Sequence, residues 1–345
     1  MKFIEDNIQQ VDKLFLYCTA FVFKKIHELI TKIASPNSNH HFDLNLLIQK
    51  GHIQSHPLLT FMESYLNEYS SNLEIQHVVS TIGEKQIFRK IEEIDKHTSE
   101  VMLLVNDVLA QFACFYDGRK KGKDIIFSLS GAKRWKILFR DSLLAKMNSH
   151  LVLSLIDSSL DLSQKQKWLE LGAGVGGTTF DLINYSYKKK CLETYYYSDI
   201  HETFWNLFIR DLKNNYNFPC ENIKFLKLNI DDIPCCKQFD TIFATNVIHC
   251  ASNIISCLNI IKEKLLVTNG SMVIAETIRT AKYKNIFLEI IYHYVEDYSS
   301  LPIHVNTKER GLYNHSEWLN IINQTNFKLI NNIQLNSCNA VYLLK

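Results

Sequence analysis

Trp168-Leu169-Glu170-Leu171-Gly172-Ala173-Gly174-Val175-Gly176-Gly177-Thr178-Thr179 is the stretch that decides how this chain folds. An apolar strand run, Lys167–Leu171, ends in a glycine cluster, and a helix starts at about Gly177. The chain has only 11 glycines, yet four of them fall between Gly172 and Gly177. Glycines let backbone approach a ligand closely, and the first turn of the next helix offers N–H groups without partners. Gly172, Gly174 and Gly177 satisfy the pattern Gly-x-Gly-x-x-Gly, which taken alone is weak evidence for any one nucleotide.

Working outward, strands alternate with helices after this loop. Thr194–Ser198 reads as a strand before a helix at 201–215; Ile223–Leu228 and Thr241–Thr245 are further strands. A helix at 253–266 precedes a strand at Ser271–Ala275, and another helix is expected at 283–298. Two last runs, Phe327–Ile333 and Ala340–Leu344, flank Asn336-Ser337-Cys338-Asn339 and suit a closing antiparallel hairpin. The pattern predicts an α/β fold with an open, mostly parallel sheet covered on both faces, binding ligands beyond the carboxyl ends of its strands.

Upstream, the spacing is helical. Val11, Leu14, Phe15, Cys18, Phe21, Val22, Ile26, Ile30 and Ile33 follow a three-four repeat over 9–33, and helices are expected at 44–50, 57–69, 85–115 and 132–160. The expected division is a helical region at 1–160 and a ligand-binding α/β domain at 161–345.

Composition removes several classes. With 46% apolar and 21% charged residues the chain is globular, and 345 residues suit roughly two domains. A net charge of +2 is too balanced for binding driven by nucleic-acid phosphates. No long uncharged apolar run predicts a membrane span, and the acids in Met1-Lys2-Phe3-Ile4-Glu5-Asp6 do not suit a signal peptide, so a cytoplasmic protein is expected. Nine cysteines without regular spacing fit reduced thiols, and neither Cys235-Cys236 nor His249, Cys250 and Cys257 has a zinc spacing, so no metal is expected.

Two acids narrow the ligand. Glu170 ends the first strand, where a carboxylate would meet a cationic group; Asp199 ends the second, where it can accept both hydroxyls of a ribose. S-adenosylmethionine carries an ammonium, a sulfonium and a ribose, whereas Glu170 would repel the pyrophosphate of a dinucleotide. These residues favour S-adenosylmethionine over a dinucleotide, and over a glycine turn with unrelated acids. In Asn229-Ile230-Asp231-Asp232 after the third strand, Asn229 and Ile230 are candidate adenine contacts, with Asp231 equally readable as a solvated loop acid. Asn246, after the fourth strand, is a candidate beside the sulfonium or a turn residue bonding its own backbone.

His249 follows the fourth strand and Glu276 ends the fifth. If these strands are neighbours, both side chains open onto one cleft, as a general base and its orienting carboxylate. A capping or core histidine is the plainer alternative. His40 and His41 read as a solvated pair, and Lys188-Lys189-Lys190 and the 119–123 loop as solvated faces or a docking patch for an acidic partner. Tyr292, His293, His304 and Arg310 are candidates to line a substrate or to lie on the surface.

With these residues assembled, the chain resembles class I S-adenosylmethionine-dependent methyltransferases, and more narrowly the C-methyltransferase domains of polyketide synthases. The resemblance covers roughly 105–345 and rests on Leu169–Thr179, Tyr197-Ser198-Asp199-Ile200, Phe239-Asp240-Thr241-Ile242 and Asn246-Val247-Ile248-His249, with a lead-in at Leu138-Phe139-Arg140-Asp141-Ser142 and Asn148. It implies a seven-stranded Rossmann-like methyltransferase sheet with an N-terminal, mostly helical lid. Glu170, Gly172, Gly174, Gly176, Asp199, Asn229, Ile230 and Asn246 would then hold S-adenosylmethionine, and S-adenosylhomocysteine would be the product. It further implies methylation of the α-carbon of a β-ketoacyl thioester on an acyl carrier protein, with His249 as base and Glu276 orienting it. The chain departs from the family at Asn229, which usually is an acid, at Phe139, often a tyrosine, and at Val267-Thr268-Asn269-Gly270, which replaces a glycine-rich turn. O-methylation of a hydroxyl or carboxyl, on a carrier-bound or free small molecule, is the alternative, because one base serves both acceptors. Nucleic-acid methylation is disfavoured by Thr245-Asn246-Val247-Ile248, which lacks the Pro-Pro-Tyr turn of amino-directed base methylation.

Overall fold

The computed structural model describes residues 2–33, 56–215, 220–236, 238–295, 298, 311–336 and 338–345. His40, His41, the helix expected at 44–50, His304 and Arg310 lie outside the described residues. Two compact units emerge: Ile8–Leu138 with Ala281–Leu301, and Met1–Asn7 with Phe139–Thr280 and Pro302–Lys345.

The first unit is helical: α1 (Lys2–Ile33, most of it in this unit), α2 (Pro57–Ser70), α3 (Leu73–Thr81), α4 (Glu84–Ile94), α5 (Lys96–Ala110), α6 (Phe112–Tyr116), α7 (Gly122–Ile126) and α8 (Leu129–Lys136). Its three-four stripe on α1 is buried as expected at Val11, Leu14, Phe15, Cys18, Val22, Ile26 and Ile30. The region 85–115 is not one helix. Asp95 is extended, ends α4 and caps α5, its carboxylate accepting the N–H groups of His97 and Thr98 at 3.1 and 3.0 Å. The segment after the fifth strand joins this unit because Glu68 accepts the N–H groups of Lys284 and Asn285, both at 2.9 Å, and Tyr294 donates to the Val108 carbonyl at 2.6 Å.

A π-turn, Ile137–Asp141, spans the boundary at Leu138, and α9 (Leu143–Ser159) follows in the second unit. α9 packs on the sheet, and 281–301 groups with the helices. Seven strands follow: β1 (Gln166–Leu171), β2 (Leu192–Asp199), β3 (Ile223–Lys227), β4 (Phe239–Thr245), β5 (Leu266–Thr277), β6 (Leu329–Leu335) and β7 (Asn339–Leu344). They form one sheet in the order β3-β2-β1-β4-β5-β7-β6. Each adjacent pair from β3 through β2, β1 and β4 to β5 is parallel, and β7 is antiparallel to both β5 and β6. Between the strands run α10 (Gly177–Lys189), α11 (Glu202–Asn215), α12 (Ile254–Lys264) and α13 (His315–Asn323).

Alternation sorts the sheet residues. Leu169, Leu171, Ile242, Ala244, Ile274 and Tyr342 face one core with Leu258 and Ile261 of α12 and Trp318 of α13. Two sequence expectations are corrected and one element is added. β5 begins five residues earlier than Ser271 and takes in Val267-Thr268-Asn269-Gly270, because Leu266 still pairs with Phe239. The helix at 283–298 shrinks to Glu289–Tyr292. α13, which the pattern did not announce, is capped by Asn314 and Glu317 bonding each other's backbone N–H.

Candidate active site

β1 ends centrally in the sheet, so the glycine loop sits over its carboxyl edge. Gly172, Gly174 and Gly176 have φ of +56°, +56° and +79°, a region L side chains rarely adopt. Space separates their roles. A Cβ on Gly172 would lie 2.3 Å from Val247 Cγ2, and one on Gly177 would lie 2.0 Å from the Phe139 carbonyl oxygen. At Gly174 an added Cβ meets only the Gly172 carbonyl, at 3.9 Å. Gly177 is thus needed for packing against the chain entering α9, while Gly174 leaves open space beside the backbone.

Asp199, at the end of β2, is buried and pins the loop: its Oδ2 accepts the Gly174 N–H at 3.0 Å and its Oδ1 the His201 N–H at 2.8 Å. Tyr197 donates its hydroxyl to the Gly174 carbonyl. Each carboxylate oxygen has a second lone pair, so Asp199 retains acceptor capacity for a diol.

Glu170 is 2% exposed and lies beneath the loop. Its Oε2 accepts the hydroxyls of Thr179 on α10 and, at 2.6 Å, of Tyr195 on β2. Burial raises its pKa to about 7, against the opposing pull of those two hydrogen bonds. A carboxyl in this state gains from a nearby cation.

The β4 and β5 ends are clipped together. Asn246 has φ +53°, which asparagine tolerates, and its Oδ1 accepts the Thr277 N–H at 2.7 Å; its own N–H donates to Ala275 at 2.8 Å. The side chain therefore bonds the neighbouring strand rather than its own turn. Beyond it, the His249 Nδ1 stands 2.7 Å from Glu276 Oε2, and Glu276 Oε1 accepts the Ile248 N–H at 3.1 Å. Glu276 is 0% exposed and His249 11%. Burial disfavours a charged imidazole, but the adjacent Cys250 sulfur and the Glu276 carboxylate outweigh it and hold the His249 pKa well above its ordinary 6.5. With Nδ1 directed at the carboxylate, Nε2 is the nitrogen left for proton transfer.

In the Asn229 loop the polar side chains bond the loop's own backbone and the loop after β4. Asn229 is exposed and turns its Oδ1 to the Asp231 N–H at 3.0 Å; Asp231 accepts the N–H and hydroxyl of Ser252 at 3.0 and 2.8 Å. Asp231 is an exposed loop acid that also ties its loop to the one after β4. Ile230 is half-buried against the main core. Tyr292 and His293 lie in the helical unit, beside Tyr298. The sequence reading gave Thr179, Tyr195, Tyr197 and Thr277 no site role; the run Tyr195-Tyr196-Tyr197, placing two tyrosines on the Glu170 side of the sheet, was the available signal. Among the described residues no group of three His, Cys, Asp or Glu could hold a metal, and no helix is long and apolar enough to cross a membrane.

A family model described as a methyltransferase domain matches residues 169–272. The chain carries a class I methyltransferase domain. Its cofactor is S-adenosylmethionine, and it resembles the carbon methyltransferase domains of polyketide synthases. The CurJ carbon methyltransferase superposes with a TM-score of 0.71 at 17% identity, over 99% of this chain and 93% of that one. The CMeT domain of the citrinin polyketide synthase gives 0.70 at 15% identity, over 97% and 89%. At such identities the likeness establishes the fold. In sequence, the methyltransferase is 26% identical over 224 residues to the non-reducing polyketide synthase mapC of Penicillium brevicompactum, spanning 62% of this chain and 9% of that synthase.

The residues present fit the cofactor. The open face of Gly174, the buried Asp199 and the buried Glu170 with its raised pKa offer room, a diol acceptor and a partner for a cation.

Proposed function

We propose that this methyltransferase alkylates the α-carbon of a β-ketoacyl thioester carried on an acyl carrier protein, using His249 as general base and Glu276 to orient it. The observation that carries this reading is the 2.7 Å contact between His249 Nδ1 and Glu276 Oε2 at the carboxyl ends of adjacent strands. When bound, S-adenosylmethionine supplies an electrophilic methyl group, which the substrate carbanion accepts. Glu170, Gly172, Gly174, Gly176 and Asp199 would hold it; Asn246 would act beside it by fixing the two strand ends. Asn229 and Ile230 would border the adenine from the β3 loop.

The α-proton between a ketone and a thioester is acidic enough for an imidazole, since both carbonyls share the charge. His249 Nε2 takes that proton, and the resulting imidazolium is stabilised by the buried Glu276 carboxylate. Glu276 is itself held by the Ile248 N–H, so the imidazole plane is set before substrate arrives. Likeness to the CurJ carbon methyltransferase and to the citrinin CMeT domain supports the choice of acceptor.

Intact-protein mass spectrometry tests it. The enzyme is mixed with deuteromethyl S-adenosylmethionine and carrier proteins bearing β-ketoacyl, β-hydroxyacyl or malonyl groups. One labelled methyl on the β-ketoacyl carrier, lost in His249→Ala, is expected. Labelling of the hydroxyacyl carrier alone would show O-methylation instead.

A further inference from the structure

At one corner of the helical unit, α7 and α8 present apolar side chains to solvent. Leu129 is 96% exposed and Phe127 48%, two positions apart, with Trp135 edge-on to Phe127 at a centroid distance of 5.3 Å. A single exposed leucine is ordinary; an apolar platform in a stretch with a large excess of one sign of charge is not. Arg119, Lys120, Lys121, Lys123 and Lys133 are exposed around it, and Arg134 and Lys136 lie in the same stretch. Seven basic residues thus stand against two acids, Asp117 and Asp124, over 117–136, in a chain whose net charge is only +2. Asp117 is engaged by Arg119 and Arg134 by Glu100 and Asp107, so these groups neutralise one another.

The corner is held firmly. A Cβ on Gly122 would lie 1.8 Å from the Tyr294 carbonyl oxygen, and one on Gly131 would lie 2.2 Å from that of Ile126. Ser128 accepts the Gly131 N–H at 3.2 Å and donates to the Ile125 carbonyl at 2.9 Å. Such backbone contact holds the segment that carries Leu129 and the lysines, so a partner would meet an ordered backbone.

We propose that this corner is the surface on which the acyl carrier protein docks, through an acidic amphipathic helix that sets carboxylates on Lys121, Lys123 and Lys133 and an apolar side chain on Leu129 and Phe127. The proposal rests on the function argued above. An apolar centre with a cationic rim is the complement of such a helix. A nucleic-acid strand would instead stack bases on open ring faces, and here the centre is an aliphatic leucine.

The test compares one β-ketoacyl group on its carrier protein and on free pantetheine, using wild type, Leu129→Glu and the double variant Lys121→Glu/Lys133→Glu. Each variant is expected to raise the carrier KM about tenfold or more with kcat retained. Kinetics on the pantetheine thioester and the melting temperature should stay as in wild type. The wild-type carrier KM should also rise with added sodium chloride. An unchanged carrier KM in both variants overturns the proposal, as does equal loss on both substrate forms. Variant-sensitive binding to anionic vesicles or oligonucleotides, without a change in carrier KM, overturns it too. Wild-type methylation of pantetheine but of no carrier removes the docking surface and leaves carbon methylation standing. Methylation of neither removes both.

Discussion

The carboxylate of Glu276 holds two donors at once: His249 Nδ1 at 2.7 Å on one oxygen and the Ile248 N–H at 3.1 Å on the other. A glutamine there has one acceptor and one donor, so it can satisfy only one of the two. Glu276→Gln is therefore expected to leave a buried donor unpaired, at about 1–3 kcal/mol, and to misplace the imidazole. Methyl transfer should fall by about 10²–10⁴ in His249→Ala and by a smaller factor in Glu276→Gln, with S-adenosylmethionine affinity nearly unchanged in both. Calorimetric titration beside single-turnover kinetics measures the two effects separately; a matching loss of cofactor affinity would contradict the assignment.

The pH dependence follows from the same pair. His249 must be neutral at Nε2 to accept a proton, yet Cys250 and Glu276 hold its pKa well above 6.5. The rate at limiting substrate should rise with pH through an alkaline limb, and Glu276→Gln should move that limb to lower pH. Stability runs the other way. The charged imidazole stabilises the fold fully below the unfolded-state pKa near 6.5, and the contribution is lost as pH rises through the higher folded value. A rate profile flat between pH 6 and pH 9 (roughly the window in which an unperturbed or raised imidazole titrates) would exclude His249 as the base.

Glu170 gives a separate prediction because both its donors, Thr179 and Tyr195, use one oxygen. Glutamine's carbonyl can accept both, so Glu170→Gln removes charge while keeping those bonds. The folded pKa of about 7 exceeds the ordinary 4.5, so the folded state holds the proton longer and loses stability as pH rises from 4.5 through 7. The difference corresponds to roughly 3 kcal/mol. Chemical denaturation at about pH 8 should find Glu170→Gln more stable than wild type without ligand, and its S-adenosylmethionine affinity lower. Unchanged affinity would mean that Glu170 does not face the ammonium or sulfonium.

Gly177 offers a test of packing. Its added Cβ would meet the Phe139 carbonyl oxygen at 2.0 Å, a backbone atom that cannot swing aside. Gly177→Ala should destabilise by about 1–3 kcal/mol. Gly174→Ala meets open space but a φ of +56°, so its cost should be smaller in stability and larger in cofactor affinity. Thermal melts with and without S-adenosylmethionine distinguish the two.

Much of this was legible in the chain itself. The glycine cluster with strands on a helical rhythm specified an α/β sheet and placed the ligand at its carboxyl edge, because local spacing alone sets strand, turn and helix start. Other features were illegible for identifiable reasons. Asp95 breaks 85–115 by capping a helix in mid-pattern, and α13 is only nine residues long, with Trp318 and Ile322 buried, too short for a sustained helical repeat.

The sequence by itself determined the type of fold, the glycine loop and the residue types able to serve methyl transfer. Only the tertiary structure decided which of them touch. His249 meets Glu276 because β4 lies beside β5 in a register that pairs Thr245 with Ala275. Glu170 meets Tyr195 because β2 lies on the other side of β1. Asn246 became a clip and Asp231 a loop tie through partners 31 and 21 residues away. Strand order and register are set by burial of whole faces and pairing of whole edges, so contacts between distant segments are written in no local pattern.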